Sequence, residues 1–334
     1  MVKLIDIAAK LNLSLTTVSR ALNDYSEVSL KTKELVKKTA KEMRYVPNRM
    51  AQNLAMKKSH LISLLYDDYR ESISYQSFPF EVIAGIRNYF GNTSYDLIMV
   101  PESSKNKNRE SLKNICMSRR VDGLFVVGIR TDDSYISELK EDFIPVVVID
   151  YPLSGKRISY VESDNVKGCE LAVNYLVLKG HTNIAFINGH NLAAVSPVRF
   201  GGYKMALKKN GIPFRPELTL ESDYTEEGGF RAAKRLLEKK RNFSAVFAAS
   251  DLMAVGVIKA LQEENYRVPE DVAVIGFDDV FLAEYSHPGL TTVRQHKFEM
   301  GYQGAKLLHK IIEQPDYIPK RKRIDVELII RGSA

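Results

Sequence analysis

The chain has 334 residues, of which 45% are hydrophobic and 27% charged, as in ordinary globular proteins of two or three domains. No apolar run approaches the roughly 20 residues that span a bilayer. Asp6 and Lys10 interrupt the segment that would form the apolar core of a signal peptide. These features argue against a membrane or secreted protein and predict a cytoplasmic one, in which Cys116 and Cys169 are buried thiols.

The net charge of +7 lies at one end of the chain. Residues 1–60 contain 12 Lys/Arg and 5 Asp/Glu, whereas the remaining 36 basic and 36 acidic residues balance. A localised basic surplus is the electrostatic footprint expected for a polyanion such as DNA. A solvated basic surface would have the same composition, so charge alone leaves both interpretations open.

The first 46 residues predict three short helices and no strand. Apolar residues at helical spacing place the helices over 4–11, 15–23 and 29–43, with Ser14 and Ser29 as N-caps. This arrangement predicts a helix-turn-helix module. The residues expected to face its core are Ile5, Ala8, Leu11, Val18, Leu22, Leu35, Val36, Ala40 and Met43.

The second helix of such a module enters the major groove of DNA, and its N-terminal residues reach the base edges. The predicted DNA-contacting residues here are Leu15, Thr16, Ser19, Arg20 and Asn23. Arg20 can donate to guanine O6 and N7, while Leu15 can contact only an apolar edge such as a thymine methyl. The alternative is that Arg20 contacts phosphate or solvent.

From residue 60 onwards, short apolar runs alternate with segments of helical period. This alternation predicts parallel sheets covered by helices, in which ligands bind at the carboxyl ends of the strands. The pattern restarts near residues 161–165, so we expect two doubly wound units.

Enzymatic motifs are lacking in the sequence. It contains no Walker A loop, no GxGxxG after a strand, no GxSxG and no HExxH. The six histidines are scattered without the spacing of metal ligands. We therefore expect no enzyme, no metal and no cofactor.

Polar residues at predicted strand ends outline a ligand site between the two units. Candidate hydrogen-bonding residues are Asp150, Ser250, Asp251 and Asp278, with Arg199 at the start of a helix. Candidate aromatic walls are Phe78, Phe80 and Tyr224. Carboxylates accept hydroxyl hydrogen bonds and an arginine donates to oxygens, so several carboxylates around one Arg predict a neutral polyhydroxy ligand.

The sequence motifs resemble those of one protein family over essentially the whole chain. LIDIAAKLNLSLTTVSRALN, RYVPNRMAQNLA, AASDLMAVGVIKAL, VPEDVAVIGFDD and HPGLTTVRQ follow one another as in the lactose/galactose repressor family of bacterial transcription regulators, which the chain resembles. The resemblance implies a DNA-binding headpiece, a hinge and a periplasmic-binding-protein-like core of two subdomains. By resemblance, Arg199 and Asp278 match effector-contacting positions, Asp150 and Ser250 match less uniform ones, and Phe78 and Tyr224 are a looser fit.

The expected domain boundaries follow from the same motifs. They are a headpiece at 1–46, a hinge at 47–59 and a core at 60–334, with one subdomain at about 60–160 plus 290–320 and the other at about 161–289 plus 321–334. In the hinge, Leu54 would wedge into the minor groove of DNA, with Asn48, Ala51 and Gln52 near the groove floor and backbone. Such a short helix should be unstable unless it is bound to DNA.

The function expected from these features is a DNA-binding transcriptional repressor, associated with the nucleoid, that controls carbohydrate genes and responds to a bound sugar. The chain ends at Ala334 without a heptad tail, so we expect a homodimer on a pseudo-palindromic operator. Ala193 and Val195 stand where purine-binding relatives carry Arg and Thr, which argues against a purine ligand. The alternatives are a regulator that answers mainly to a phosphorylated carrier protein, and a sugar-binding transport protein.

Overall fold

The computed structural model describes residues 2–46, 58–66, 78–100, 110–238 and 242–334. It divides into two compact units, Met1–Ser59 and His60–Ala334. Residues 47–57 are outside the described ranges, so the predictions for Asn48, Ala51, Gln52 and Leu54 are outside them as well.

The first unit contains three helices, α1 (Leu4–Leu11), α2 (Leu15–Leu22) and α3 (Leu30–Glu42). Both predicted N-caps are confirmed, because Ser14 Oγ accepts from the Thr17 N–H (3.0 Å) and Ser29 Oγ accepts from the Thr32 N–H (3.2 Å). Asn12 ends α1 in the left-handed conformation, at φ 51°, which asparagine tolerates better than most residues and which allows the tight turn before α2.

The apolar core of this unit is built from Ile7, Ala8, Val18, Ala21, Val36 and Ala40. Two residues predicted to face it do not: Ile5 is 59% exposed and Leu35 is 50% exposed. Each lies next to the true apolar stripe, which in α1 follows the i, i+3, i+4, i+7 positions Leu4, Ile7, Ala8 and Leu11. A shift of one residue turns a side chain by about 100° around the helix, enough to move it into solvent.

The second unit alternates strands and helices. Its described strands are β1 (Leu61–Tyr66), β2 (Asp96–Val100), β3 (Gly123–Val127), β4 (Val146–Ile149), β5 (Ile158–Ser163), β6 (Ile184–Asn188), β7 (Thr219–Glu221), β8 (Ala245–Ala248), β9 (Ala273–Asp278), β10 (Thr291–Gln295), β11 (Arg321–Ile324) and β12 (Val326–Ile329). Its described helices are α4 (Phe78–Phe90), α5 (Leu112–Ser118), α6 (Tyr135–Leu139), α7 (Asn165–Leu178), α8 (Val195–Lys209), α9 (Glu226–Glu238), α10 (Asp251–Glu263), α11 (Phe281–Tyr285) and α12 (Lys297–Glu313).

The strands form two six-stranded sheets. The first has the order β11-β5-β4-β3-β1-β2 and is parallel throughout, and the second has the order β12-β10-β9-β8-β6-β7, in which only β12 is antiparallel to its neighbour. Each sheet has its own apolar core, and both predicted thiols, Cys116 and Cys169, are buried and free. The fold class predicted from the sequence, a helical headpiece with two doubly wound units, is confirmed.

The predicted subdomain boundaries need correction near the C-terminus. Strand β10 belongs to the second sheet although the sequence analysis placed 290–320 with the first unit, and β11 belongs to the first sheet although 321–334 was placed with the second. Helix α12 between them packs on the first sheet, as predicted. Only Asp325 separates β11 from β12, so no turn signal in the sequence marks that the chain changes sheets there.

Candidate effector cleft and DNA-contacting helix

Helix α2 presents its predicted DNA-contacting residues on the face away from the core. Val18 and Ala21 are buried, whereas Leu15, Thr16, Arg20 and Asn23 are exposed and Ser19 is partly buried. The structure therefore places four of the five residues on α2 and Asn23 directly after it, and four of the five are exposed. The side-chain amide of Asn23 donates to the Ser19 carbonyl (2.9 Å), which closes the last turn of the helix.

The turn after α2 is held by two lysines of α3. Lys37 Nζ lies 2.6 Å from Asp24 Oδ1, and Lys33 Nζ donates to the Asp24 carbonyl (3.0 Å). The hydrogen bond from Lys37 lowers the pKa of Asp24. These contacts fix the C-terminal end of α2 against α3.

Arg199 is the centre of the candidate ligand site in the second unit. Its side chain is buried, with Nε donating to Asn165 Oδ1 (2.7 Å) and Nη1 donating to the Ala249 carbonyl (2.6 Å). The guanidinium carbon lies 3.9 Å from the centre of the Phe277 ring, and Nη1 lies 3.7 Å from Asp278 Oδ1. The cation is thus fixed by partners from three segments of the chain.

Asp278 and Asp150 lie at the carboxyl ends of β9 and β4, where the sequence predicts ligand contacts. Asp278 adopts φ 126° and accepts from Gln295 Nε2 (2.5 Å), and Asp150 adopts φ 56° and accepts from the Ser163 N–H (3.3 Å). Burial raises the pKa of Asp150 to about 7, although the nearby Arg199 cation lowers it. Asp150 therefore changes charge near neutral pH.

Ser250 and Asp251 have roles within the protein. Ser250 caps α10 by accepting from the Met253 N–H (3.3 Å), and its side chain is buried. Asp251 is fully buried and accepts from the Val280 N–H (2.8 Å) and from the Thr292 hydroxyl. Burial, together with the nearby Asp278 carboxylate, raises its pKa. Asp251 thus holds the loop after β9 through the Val280 N–H.

Tyr224 lies near the charged groups, and Phe78 packs elsewhere. The Ser196 hydroxyl donates to the His190 carbonyl (2.7 Å), so the Tyr224 hydroxyl is the donor in its 2.7 Å contact with Ser196 Oγ. A Cβ at Gly189 would lie 1.9 Å from the Tyr224 ring, so only glycine fits there. Phe78 is partly buried and packs against the apolar core of the first sheet, and its predicted ligand contact stays a prediction.

Three polar residues of this region were missed by the sequence analysis. Asn165 accepts from Arg199, and Gln295 donates to Asp278. Lys297 donates to the carbonyls of Asp278 and Asp279. Gln295 had a usable signal, because it is a polar residue at the end of a buried strand. The roles of Asn165 and Lys297 depend on contacts with residues more than 15 positions away, and the local sequence gives no signal for such contacts.

Two general features of the described part of the chain bear on function. No helix there is long and apolar enough to cross a membrane. No group of three His, Cys, Asp or Glu side chains is placed there to hold a metal ion.

Comparison with known proteins identifies two regions of the chain. The model of bacterial regulatory proteins of the lacI family matches residues 3–48, and the model of the periplasmic binding protein-like domain matches residues 173–334. The chain is 34% identical over 336 residues to the probable HTH-type transcriptional repressor ExuR of Bacillus subtilis, covering 100% of this chain and 98% of that protein.

Solved structures match along the whole length. The cellobiose complex of the transcriptional regulator CelR is 30% identical with a TM-score of 0.78, and the match covers 100% of both chains. The lac repressor dimer bound to operator and the anti-inducer ONPF is 26% identical with a TM-score of 0.83, covering 99% of this chain and 98% of that one. The chain therefore belongs to the lacI family of bacterial regulatory proteins and is a DNA-binding transcriptional regulator.

Proposed function

We propose that this regulator represses genes for carbohydrate use and that a neutral sugar, bound between the two sheets of the core, controls its affinity for operator DNA. The observation that carries the proposal is the buried Arg199 beside Asp278 at the carboxyl end of β9. Arg199 donates to ring or hydroxyl oxygens, and the carboxylates of Asp278 and Asp150 accept from hydroxyls. Tyr224 supplies an aromatic face for the apolar side of a sugar ring.

The solved relatives support a ligand of this class. CelR has been solved with cellobiose, and the lac repressor has been solved with operator and an anti-inducer. Two carboxylates opposite one buried arginine leave no net positive charge for an anionic ligand, which favours an uncharged sugar.

DNA recognition is assigned to two segments. The exposed residues of α2, with Arg20 as the reader of a guanine, contact base edges in the major groove. Leu54 enters the minor groove from the hinge at 47–59, with Asn48, Ala51 and Gln52 beside it. The headpiece at 1–46 and the core at 60–334 are then joined by a DNA-contacting segment.

A homodimer is the assembly that fits these roles. The lac repressor that this chain resembles was solved as a dimer on its operator. In the core, the Phe281 and Tyr285 rings contact each other with centres 4.4 Å apart and planes inclined at 30°, while both remain more than 60% exposed, as expected of an apolar interface that a second copy covers. Two-fold symmetry would place two α2 helices on a pseudo-palindromic operator in the cytoplasm.

The proposal is tested by DNA retention with the full-length protein. DNA fragments from upstream of its own gene and of the neighbouring genes are titrated at one fixed salt concentration, because phosphate contacts make affinity salt-dependent. Each titration is repeated with cellobiose, ribose and other neutral sugars. One sugar, or a small group, should change the operator affinity by about 5- to 150-fold. If every sugar left retention unchanged, the proposal of a sugar effector would be wrong.

A further inference from the structure

Lys297, the first residue of α12, is a buried lysine with three partners. Its side chain is 1% exposed, and Nζ donates to the carbonyls of Asp278 (2.7 Å) and Asp279 (2.9 Å). Nζ also lies 2.9 Å from Glu81 Oε1. A buried ammonium is tolerated only when its hydrogen bonds are satisfied, and these three acceptors match its three N–H groups.

The partners of Lys297 belong to different halves of the core. Asp278 is the last residue of β9 in the second sheet and Asp279 follows it, and Asp278 is the residue that lies beside Arg199 in the candidate cleft. Glu81 lies on α4, which packs with α12 on the first sheet. Lys297 therefore joins the loop that carries a proposed ligand-contacting residue to the helices of the other half.

Helices α4 and α12 are packed backbone to backbone. A Cβ at Gly301 would lie 1.9 Å from the Val82 carbonyl oxygen, and a Cβ at Gly85 would lie 2.0 Å from the Phe298 carbonyl oxygen. Glycine at these two positions allows the close approach. A displacement of the N-terminal end of α12 is thus transmitted along the helix rather than absorbed by side chains.

The other end of α12 contacts the residues that hold the chain where it enters the core. Glu313 Oε1 accepts from the hydroxyl of the buried Tyr95 (2.8 Å), and the Tyr95 ring lies 5.2 Å from the ring of His60. His60 is the first residue of the second unit, and its N–H donates to Asp122 Oδ2 (2.7 Å) while its ring bonds Ser94 (3.0 Å).

We propose that α12 is a strut that couples the effector cleft to the start of the core, with Lys297 and Tyr95 as positioning residues at its two ends. The helix spans about 24 Å from Lys297 to Glu313 at 1.5 Å per residue. A ligand that moves Asp278 would shift the acceptors of Lys297, and α12 would carry the shift to Tyr95 and His60. The inference rests on the proposed function in taking Asp278 as a ligand contact.

A cavity beside Lys297 gives this contact room to rearrange. It has a volume of about 310 Å³ and is lined by Glu81, Asp279, Arg294, His296 and Phe298, among others. Close-packed interiors resist movement, so open space next to a contact between the two halves makes a second arrangement accessible. The charged lining offers alternative partners to the lysine if the loop after β9 moves.

The coupling is tested through DNA, so that the test does not depend on the identity of a sugar. A DNA duplex selected by the full-length protein from a random pool is the probe, and amide hydrogen exchange at residues 278–281 is the readout. The Val280 N–H bonds Asp251, so its exchange rate reports on the state of this loop. Binding of the duplex should change exchange at 278–281 by about fivefold in the wild type.

Variants at either end should break this response. Lys297→Met removes the ammonium, and Tyr95→Phe removes only the hydroxyl that bonds Glu313, so it keeps the aromatic packing. In each variant the DNA-dependent change at 278–281 should fall below about twofold, and the double variant should match the single ones because the contacts act in series. Thermal unfolding checks stability, and Tyr95→Phe carries the test if Lys297→Met does not fold.

Matched controls separate coupling from general damage. Lys306→Met makes the same change at an exposed position of α12, and Glu313→Gln keeps an acceptor for Tyr95, so both should retain the wild-type response. An unresponsive wild type, a response that persists in Lys297→Met and Tyr95→Phe, or additive effects in the double variant would each overturn the strut. Failure of every sugar in the retention assay would leave this DNA-linked exchange unaffected, so the two proposals can fail separately.

Discussion

At the scale of single residues, Arg199 is the group through which the proposed sugar response should pass. Its guanidinium is fixed by Asn165, Ala249 and the Phe277 ring, so its remaining hydrogen-bonding capacity is directed towards Asp278 and the cleft. Arg199→Ala should abolish the effect of the sugar on DNA retention and leave affinity for the operator within about threefold of the wild type, because coupling energy is separate from DNA-binding energy.

The same substitution leaves Asp278 without its buried cation, so stability should fall by about 3 kcal/mol. Urea unfolding measures this loss. Arg231→Ala is the control, since Arg231 is exposed and pairs with Asp223 and Glu227, an arrangement worth at most about 1 kcal/mol. If Arg199→Ala also removed operator binding while remaining folded, the residue would have a structural role and the assignment to the effector site would fail.

Protonation of the Asp150 carboxyl should make sugar binding depend on pH. Burial raises its pKa to about 7, so the carboxyl is mostly protonated at pH 6 and ionised at pH 8. A sugar hydroxyl donates more strongly to the ionised form, so sugar affinity should rise with pH across this range, by at most about tenfold per pH unit below the pKa. Titration calorimetry at pH 6, 7 and 8 measures the effect, and Asp150→Asn should make affinity nearly independent of pH.

The raised pKa of Asp150 also determines whether its contribution to the free energy of unfolding rises or falls with pH. The folded pKa of Asp150 lies above the unfolded value of about 3.9, so the folded state binds more protons between about pH 4 and pH 7 and the contribution to stability falls as pH rises through that window. Asp150→Asn should reduce the fall in the free energy of unfolding between about pH 4 and pH 7. Asp325→Asn is the control of opposite sign, since a hydrogen bond from Lys167 lowers the pKa of that exposed carboxyl. An unchanged pH dependence of stability in Asp150→Asn would contradict the raised pKa of Asp150.

At the scale of elements, α2 should determine sequence preference. Arg20 is exposed on the helix that Ser14 caps, away from the buried Val18 and Ala21. Arg20→Ala should cost about 1–3 kcal/mol on the selected operator and relax the preference at one base pair, because a bidentate contact with guanine is lost. Binding to a set of single-base operator variants at fixed salt measures both effects.

The control for α2 is Lys41→Ala, which removes an exposed positive charge from the last turn of α3. It should weaken all operator variants equally and reduce the salt dependence, as expected of a group that contacts phosphate. A uniform loss in Arg20→Ala as well would show that Arg20 contacts phosphate and does not read a base.

Secondary structure was predictable where local physics decides it. Ser14 and Ser29 were identified as caps because a hydroxyl before an apolar helical pattern satisfies a free N–H. Ile5 and Leu35 were misplaced because neighbouring apolar residues offer two possible stripes, and only packing between helices chooses one. The sheets of β10 and β11, and the role of Lys297, depend on contacts across long stretches of chain, which a local pattern does not encode.

At the scale of the whole molecule, the helix proposed to contact DNA and the proposed effector cleft lie in separate compact units, Met1–Ser59 and His60–Ala334. The surplus of positive charge belongs to the first unit, and the buried Arg199 cluster belongs to the second. In the proposed function, the segment that joins them couples sugar binding to DNA binding. The apolar residues of 47–59 are the sequence feature that distinguishes this segment from an ordinary polar linker.

Leu54→Ala tests whether that segment takes part in binding. As a minor-groove wedge, Leu54 would allow the bent DNA to contact more protein surface, so its truncation should weaken operator binding by about 2–3 kcal/mol, or about a hundredfold. Sugar affinity should remain within about twofold, because the cleft residues belong to the second unit. Leu178→Ala, at a site that is 85% exposed on α7, is the matched control and should change neither affinity. Equal losses of DNA and sugar binding in Leu54→Ala would indicate a folding defect, whereas unchanged DNA binding would make the segment a passive linker. A loss confined to DNA binding, in a chain whose sugar site is intact, is the result that places Leu54 at the operator.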